Sequence, residues 1–280
     1  MDIGRLIRIS RPRFWLYLAG TFMVGYAFGI HNLSEFYSLS FIIPFLLFLI
    51  PANIFIYGIN DIADRDTDKI NPKKDDKKEI RTKEKDLKTL KIIVALSILS
   101  LFSLLFFLDF TGITLLLAFI IIGAGYSVRP LRFKSKPFLD FISNSFYILP
   151  GIIGYYIASG MLPPLIVWVL GLSWTGAMHL FSAIPDIEPD RKSKIMTSAV
   201  LFGHKNSLLF CIMLWSFFVL SQIVLEVNIL LIALSMIYII IPLILMFMDE
   251  EKVIKAYWYY PYINGILGMI FFFYAIIPKI

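Results

Sequence analysis

The stretch Asn60–Asp68, with the sequence NDIADRDTD, places four carboxylates directly after an apolar run near residues 41–60. An apolar run of about 20 residues is long enough to cross a bilayer as a helix. A second acidic stretch, Asp186–Asp190 with the sequence DIEPD, ends another apolar run in the same way. Carboxylates are costly beside a bilayer core unless a cation or a function compensates them. The two acid clusters are therefore the candidate functional sites of this chain.

The composition of the 280-residue chain is that of an integral membrane protein, with 59% hydrophobic and only 16% charged residues. Soluble domains carry about 25% charged residues. The apolar runs are too numerous for one buried soluble core, so the predicted fold class is an all-α integral membrane protein. About nine runs are candidate transmembrane helices: 14–30, 41–60, 88–108, 111–127, 138–159, 163–184, 206–225, 229–248 and 260–277. The first run has no convincing cleavage site after its Arg-rich start, so we expect a span rather than a signal peptide.

The basic residues follow the alternation that nine crossings would impose. Of the 26 Lys and Arg residues, all except Lys279 fall in segments that nine crossings place on one face. Because positively charged loops stay in the cytoplasm, this face is predicted to be cytoplasmic, and it contains the N-terminus and both acid clusters. We expect a multi-pass protein of the cell membrane. The net charge of +6 is then explained by topology and by attraction to phosphate groups, and no nucleic-acid partner is predicted.

The first acid cluster continues a polar stripe that runs down the preceding helix. The side chains that share nearly one helical face are Asn53, Tyr57, Asn60, Asp61, Asp64 and Asp68. The carboxylates crowd one another and would repel without a cation, so the stripe predicts the wall of a cavity with a cation site at its rim. The alternative is a solvated helix end balanced by the lysines that follow. Residues 69–91 are predicted to form a cytoplasmic basic loop, or cap.

The second acid cluster has a less regular context because it contains two prolines. Asp186 and Asp190 are one turn apart if the segment is helical. Since proline disfavours helix at the residue before it, we expect the span to break at Ile184 and to restart with Pro185 in its first turn. A restarted helix would offer free N–H groups to an anionic ligand. His179 faces the same side of a continuous helix, either as an interhelical hydrogen-bonding residue or as a catalytic one.

Four segments resemble the signatures of the UbiA superfamily of intramembrane prenyltransferases. The first acid cluster resembles the family's NDxxDxxxD signature, and Asp186–Asp190 is similar to its second aspartate signature. Tyr126–Lys134, with the sequence YSVRPLRFK, resembles the family's basic Tyr-Ser-x-x-Pro-x-Arg-x-Lys segment. Arg11 and Pro12 resemble its N-terminal Arg-Pro element. The order, the spacing and the number of spans agree over nearly the whole chain.

The resemblance implies a single transmembrane prenyltransferase domain over residues 1–280, with nine helices around a central cavity that opens to the cytoplasmic side. It also implies two Mg²⁺ ions that bridge the catalytic aspartates and a prenyl diphosphate. The implied metal ligands are Asn60, Asp61, Asp64, Asp68, Asp186 and Asp190. The candidate substrate-binding residues are Arg11, Asn53, Tyr57, Asn60, Tyr126, Arg129, Arg132, Lys134, His179 and Lys194. It stays open whether Asp186 or Glu188 takes the first metal position of the second motif.

The chemistry of this family fits these residue types. Metal ions and basic side chains neutralise the leaving diphosphate, so that the allylic C–O bond ionises to a carbocation. A dry cavity then protects the cation from water, and aromatic faces stabilise it through cation–π attraction. The aromatic candidates are Trp15, Tyr57, Tyr126 and Trp174.

Two further stretches, Ser10–Gly20 and Phe181–Asp190, are similar to the lycopene elongases of C50 carotenoid synthesis. That likeness implies dimethylallyl diphosphate as the donor and lycopene or a related carotenoid as the lipophilic acceptor. An aromatic-acceptor prenyltransferase of quinone synthesis, of the 4-hydroxybenzoate or naphthoate type, is the alternative with the same metal site. A cation or phosphate transporter is the more distant alternative, and the concentration of acids at the cytoplasmic ends of the spans speaks against it.

Overall fold

The computed structural model describes residues 3–64 and 84–280, and within those ranges the chain is helical and contains no strand. The helices are α1 Ile3–Ile9, α2 Thr21–Gly29, α3 Leu39–Leu49, α4 Pro51–Ala63, α5 Leu87–Leu101, α6 Phe110–Ser127, α7 Leu139–Ile142, α8 Leu149–Ser159, α9 Leu165–Ala183, α10 Ile187–Lys192, α11 Ser198–Val224, α12 Ile229–Ser235, α13 Ile237–Leu245 and α14 Glu250–Ile276. Short 3₁₀ segments and one π-helical turn, Leu16–Gly20, connect many of them. The predicted all-α fold class is confirmed.

Six helical stretches in the described part of the chain are long and apolar enough to cross a membrane. They are Leu39–Ala63, Glu84–Phe107, Phe110–Ser127, Leu165–Lys192, Ser198–Val224 and Glu250–Lys279. The other three predicted spans coincide with shorter helical pieces. The run 14–30 is divided between the π-helical turn and α2, 138–159 is divided among α7, a 3₁₀ segment and α8, and 229–248 contains α12 and α13. The count of nine full-length spans is therefore not confirmed.

The basic cap predicted for residues 69–91 falls largely outside the described residues, as do Asp66 and Asp68. Its last part is helical, because a 3₁₀ turn begins at Glu84 and leads into α5. Asp86 in this turn is buried and forms an ion pair with Arg5 of α1. The ion pair thus connects α1 to the 3₁₀ turn directly before α5.

The chain forms two compact units. The first comprises the described parts of Met1–Leu131 together with Leu149–Leu162 and Ala275–Ile280, and the second comprises Arg132–Ile148 and Pro163–Tyr274. Each has its own core, and the prediction of one domain over residues 1–280 stays a prediction.

Glycines allow the backbones of α2 and α8 to come together in the first unit. A Cβ placed on Gly25 would lie 1.9 Å from the carbonyl oxygen of Gly151, and one placed on Gly154 would lie 2.4 Å from that of Phe22. Gly25 and Gly29 are four residues apart on α2, which is the small-residue spacing that favours close helix packing in membranes. At the end of this helix Lys279 donates a 2.6 Å hydrogen bond to the carbonyl oxygen of Ala27.

Asp109 forms a second polar contact within the first unit. Asp109 caps α6 by accepting from the Gly112 N–H at 3.1 Å, and the Tyr156 hydroxyl donates to its other oxygen at 2.7 Å. The hydrogen bond from Tyr156 lowers the pKa of the Asp109 carboxyl below its ordinary value. Asp109 is therefore ionised and serves as a structural cap of a helix.

Aromatic side chains fill the core of the second unit, between α9, α11, α13 and α14. The Trp215 ring stacks on that of Tyr260 at 5.5 Å between centroids, with Phe181 and Tyr238 beside them. Helix α11 bends at Gly203, whose φ of 74° interrupts the helical geometry. The Cys211 thiol, the only one in the sequence, is buried and donates to the carbonyl oxygen of Ala177 at 3.5 Å.

We predict that Gly25→Ala destabilises the protein, because the new methyl group has no space against the α8 backbone. The expected loss is about 1–3 kcal/mol, as for other overpacked interiors, and it is measured as a lower thermal midpoint in detergent. Gly268→Ala is the matched control, since a Cβ there meets nothing within 4 Å and alanine favours a helix more than glycine does. An unchanged midpoint for Gly25→Ala would contradict the close approach of α2 and α8.

Candidate active site

The first acid cluster lies at the C-terminal end of α4. The helix ends at Ala63, and Asp64 closes it with φ −97° and ψ 1° while its N–H donates to the carbonyl oxygen of Asn60 at 2.9 Å. Asp61 is 3% exposed, so its carboxylate is buried at the helix end. The predicted continuation of the same helical face to Asp68 lies outside the described residues.

The polar stripe on α4 is buried at Asn53, Tyr57 and Asp61 and half-buried at Asn60 and Asp64. Asn53 is fully buried, and its amide nitrogen donates to the carbonyl oxygens of Phe48 and Leu49 at 3.0 Å. These bonds brace the junction before Pro51, which lacks an N–H. The Asn53 Oδ1 is buried and has no hydrogen-bond partner among the described residues. Asn53 therefore combines a structural bond with an unused acceptor on the predicted cavity wall.

Arg11 compensates the buried charge of Asp61, although the two are 50 positions apart in the sequence. Its Nη2 lies 3.3 Å from Asp61 Oδ1, and the guanidinium group lies 4.7 Å from the centre of the Tyr57 ring. Two predicted substrate-binding residues and one predicted metal ligand thus form a single cluster. The local fold places Arg11 directly after α1, where its N–H donates to the carbonyl oxygen of Arg8.

A further contact links the first acid cluster to the basic segment of the sequence. Ser127, the last residue of α6, donates a 3.0 Å hydrogen bond to the side-chain oxygen of Asn60. Ser127 follows Tyr126, which is half-buried, and precedes the exposed Arg129 by two positions. The contact brings the start of the predicted basic motif to the end of α4.

The second acid cluster does not interrupt its span as predicted. Helix α9 continues as a 3₁₀ turn over Ile184–Asp186 and returns to α-helix at Ile187 without a gap. Pro185 has no N–H and cannot continue the hydrogen-bond pattern of α9, and the change from α-helix to 3₁₀ geometry occurs at this point. The predicted free helix start is not formed, since the Ile187 N–H donates to the carbonyl oxygen of Ile184.

The two acids that compete for the first metal position differ in their surroundings. Asp186 and Asp190 are half-buried. Glu188 is exposed and already accepts from Arg191 at 2.5 Å.

Lys194 is held in a strained backbone conformation directly after this cluster. The N–H of Ile195 donates to the carbonyl oxygen of Asp190 and that of Lys194 to the carbonyl oxygen of Arg191, at 2.9 and 3.1 Å. This pair of bonds is the Schellman ending of a helix, in which glycine usually takes the left-handed position. Here that position is Lys194, with φ 56°.

Left-handed backbone recurs at the predicted phosphate-binding cations. Five non-glycine residues with positive φ occur within 3–64 and 84–280, namely Arg11, Arg132, Phe138, Lys194 and Glu226. Three of the five are basic residues that the sequence places in the substrate site. Such conformations cost about 1–3 kcal/mol each and concentrate at functional sites. Arg132 directly precedes the 3₁₀ turn Phe133–Ser135, and Lys134 lies within it. Both residues are half-buried.

His179 lies on α9 within electrostatic range of two carboxylates, Asp140 and Asp186. The sequence pairs His179 with Asp186, and the structure adds Asp140, which is fully buried at the start of α7. Sequence reasoning missed Asp140 because it is a single acid at the beginning of an apolar run.

No three His, Cys, Asp or Glu side chains are grouped as a metal site among the residues that the structure describes. Asp68, which completes the first predicted set, is outside them. The oxygen donors that are described, Asn60, Asp61 and Asp64 on one helix end and Asp186 and Asp190 on another, have the hard-ligand chemistry that Mg²⁺ prefers. The metal set therefore stays a prediction whose donor chemistry fits.

The comparisons with known proteins agree on the class of this molecule. The model of the UbiA prenyltransferase family matches residues 14–276. Over 271 residues the chain is 42% identical to the lycopene elongase/hydratase of Haloarcula japonica, covering 96% of this chain and 90% of that protein. It is 39% identical over 275 residues to the lycopene elongase/hydratase of Halobacterium salinarum, covering 95% and 94%. The chain therefore belongs to the UbiA prenyltransferase family, and it is a multi-pass membrane enzyme of the prenyltransferase class.

Solved structures show the same fold. A UbiA homolog from Archaeoglobus fulgidus bound to GPP and Mg²⁺ aligns with a TM-score of 0.67 at 21% identity, covering 98% of this chain and 99% of that chain. A structure of digeranylgeranylglyceryl phosphate synthase aligns with a TM-score of 0.72 at 18% identity, covering 98% of each chain.

We predict that Arg11→Ala destabilises the protein strongly, because it removes the guanidinium group that lies beside the buried Asp61 carboxylate. The expected loss is about 3 kcal/mol, the lower end for a broken buried pair, measured by thermal unfolding in metal-free detergent. Arg8→Ala is the control. Arg8 is an exposed residue of α1, and exposed charges contribute about 0–1 kcal/mol. Equal effects of the two substitutions would refute the compensation of Asp61 by Arg11.

Proposed function

We propose that this prenyltransferase transfers a dimethylallyl group from dimethylallyl diphosphate to a double bond of lycopene or a related carotenoid, in a Mg²⁺-dependent reaction at the cytoplasmic face. The observation that carries the proposal is the buried Asp61–Arg11–Tyr57 cluster at the end of the polar stripe, in the position of the family's first aspartate signature. The acceptor is supported by relatives named lycopene elongase/hydratase, at 37–42% identity over at least 94% of this chain. The cytoplasmic orientation is supported by the placement of the basic residues.

In this proposal two Mg²⁺ ions are held by Asn60, Asp61, Asp64, Asp68, Asp186 and Asp190. The solved homolog that binds DMAPP and Mg²⁺ supports the choice of metal. Asp186 takes the first position of the second motif, because Glu188 is engaged by Arg191 at the surface. When bound, the metal supplies positive charge that stabilises the leaving diphosphate.

The basic side chains bind and orient the diphosphate. Arg129, Arg132, Lys134 and Lys194 are assigned to its oxygens, and Arg11 exchanges between Asp61 and the diphosphate. Fixed cations placed where negative charge develops stabilise the departure of the leaving group most effectively. The left-handed backbone at Arg11, Arg132 and Lys194 turns their Cα–Cβ bonds in directions that a right-handed helix would not give, at a cost of about 1–3 kcal/mol each.

The position of each residue along its helix separates the donor end of the site from the acceptor end. Tyr57 precedes Asp61 by four residues, about 6 Å of helix, which places its ring beside the dimethylallyl group. His179 precedes Asp186 by seven residues, or about 10 Å, where bond formation and proton loss take place. Trp174 precedes it by twelve, about 18 Å, so we assign it to the acceptor chain rather than to the carbocation. We assign Tyr126 to the donor end as well, because the next residue, Ser127, donates a hydrogen bond to Asn60.

An alkene acceptor requires no base before attack. The allylic C–O bond ionises as diphosphate leaves, and the π electrons of the alkene form the new C–C bond with the allylic cation. The resulting tertiary cation loses its proton to His179 or to an oxygen of the released diphosphate. An aromatic acceptor remains the second candidate, since a homogentisate phytyltransferase of Synechocystis is 30% identical over 55% of this chain. The transporter alternative is set aside by membership of a prenyltransferase family.

The direct test is transfer of labelled dimethylallyl diphosphate by the purified protein in liposomes with Mg²⁺. Lycopene is the acceptor in one reaction, and 4-hydroxybenzoate with a longer prenyl diphosphate is used in parallel. We expect label in C45 and C50 carotenoids, loss of activity on chelation, and a fall of at least about 100-fold in Asp64→Ala. Asp109→Asn, at a structural cap outside the site, should retain activity. Label in the benzoate product instead would show that the acceptor is aromatic and not a carotenoid. Activity of Asp64→Ala equal to that of the wild type would refute the proposed metal site.

A second prediction separates the charge of Lys194 from its backbone strain. Lys194→Gly should raise the unfolding free energy by about 1 kcal/mol, because glycine accepts positive φ, and should raise the KM for the diphosphate donor. Glu226→Gly is the matched control. After α11 the N–H of Glu226 donates to the carbonyl oxygen of Ile223, and that of Val227 donates to the carbonyl oxygen of Gln222, which is the same pair of bonds. Glu226 has φ 54° but lies outside the proposed site.

Thermal unfolding of both variants measures the effect of relieving the backbone strain, and steady-state kinetics measure the effect of losing the Lys194 charge. Similar stabilisation with a raised KM only in Lys194→Gly is the expected result. An unchanged KM in Lys194→Gly would remove Lys194 from the diphosphate site.

A further inference from the structure

The fully buried carboxylate of Asp140 has no role in the reaction as described so far. It lies in α7, and it accepts the N–H of Ser198 at 2.7 Å and the hydroxyl of Ser198 at 2.5 Å. The N–H of Phe141 donates to it as well, at 2.9 Å. A buried carboxylate requires compensation by hydrogen bonds or by a paired charge, and at Asp140 hydrogen bonds supply it.

Ser198 completes a closed set of bonds between two distant segments. Its hydroxyl donates to Asp140 and accepts from the N–H of Phe138 at 2.6 Å, and the residue is fully buried. The three bonds join the chain around residue 139 to the first residue of α11, about 60 positions later. We call this arrangement the Asp140–Ser198 clamp.

Helix capping alone does not account for the clamp. Helix α11 already has an N-cap, because the Thr197 hydroxyl accepts the N–H of Val200 at 3.3 Å. An N-cap residue of this type supplies the usual stabilisation of a helix start. The clamp adds a connection between segments that the cap does not provide.

Both clamped segments carry cations of the proposed diphosphate site. Arg132 and Lys134 precede Asp140 by eight and six residues, and between them lie a 3₁₀ turn and a hydrogen bond from the Asp140 N–H to Lys136. Lys194 precedes Ser198 by four residues and is fixed by the Schellman ending of α10. Each cation is thus connected to the clamp by a short, hydrogen-bonded stretch of chain.

We propose that Asp140 and Ser198 are positioning residues, which hold the Arg132–Lys134 segment and Lys194 at a fixed separation so that their cations bind one diphosphate together. This inference rests on the proposed function. Positioning by groups away from the reacting atoms has large effects, because a displacement of about 1 Å can cost about 100-fold in rate.

The test compares Ser198→Ala, which removes the bridging hydroxyl, with Thr197→Ala, which removes the neighbouring cap of the same helix. We expect Ser198→Ala to raise the KM for dimethylallyl diphosphate about tenfold and to weaken binding of its unreactive thiolodiphosphate analogue equally. Thr197→Ala should lower the thermal midpoint and leave both values unchanged. Ser198→Thr, which keeps the hydroxyl, should restore donor binding, and Asp140→Asn should reproduce the Ser198→Ala defect.

Lys194→Ala makes the outcomes distinguishable. If Lys194→Ala impairs analogue binding and Ser198→Ala does not, the clamp is structural only and the inference is overturned. The inference is also overturned if Ser198→Ala and Thr197→Ala lose analogue binding equally, in proportion to their losses of thermal stability. If neither Lys194→Ala nor Asp64→Ala affects the enzyme, the proposed function fails independently of the clamp.

Discussion

The free energy of a carboxylate beside a bilayer governs the arrangement of this protein. Asp61 and Asp140 are both nearly inaccessible to solvent, and each is held by a different compensation. The Asp61 carboxylate is paired with the Arg11 guanidinium. A cation that binds Asp61, or an anion that binds Arg11, can replace this pairing. Asp140 has short hydrogen bonds from a helix start and a hydroxyl, which leave nothing for a ligand to replace. One buried acid is therefore suited to exchange partners during a reaction, and the other is suited to remain fixed.

The same contrast explains why strain and rigidity occur together near the proposed site. A long basic side chain explores many rotamers on any backbone, and binding a diphosphate costs conformational entropy. A left-handed backbone at Arg132 or Lys194 is unfavourable in itself and leaves those rotamers free, but it turns the Cα–Cβ bond in a direction that a regular helix does not give. The protein accepts this local cost because packing elsewhere, such as the stacked Trp215 and Tyr260, supplies stability independent of the site.

Much of the fold and of the proposed site could be predicted from the sequence, because hydropathy and acid spacing report directly on membrane helices. The apolar runs located the six full-length helices, and the aspartate motifs located the buried Asp61. The division of the run 138–159 into α7, a 3₁₀ segment and α8 could not be predicted, since average hydropathy does not register local helix type. The Arg11–Asp61 pair and the Asp140–Ser198 bonds depend on tertiary proximity, which no local pattern encodes. The four-residue spacing of Gly25 and Gly29 indicates close packing of α2 against another helix, which hydropathy alone does not indicate.

The composition of the first unit has a consequence for how the protein is made. Its residues come from the beginning of the chain, from a middle segment and from Ala275–Ile280, and Lys279 donates to the carbonyl end of α2. The second unit is built entirely from residues that are translated before Ala275. During synthesis, then, the half of the molecule that begins first is completed last. Its early helices wait in the membrane with the Ala27 carbonyl of α2 still unbonded until Lys279 has been made.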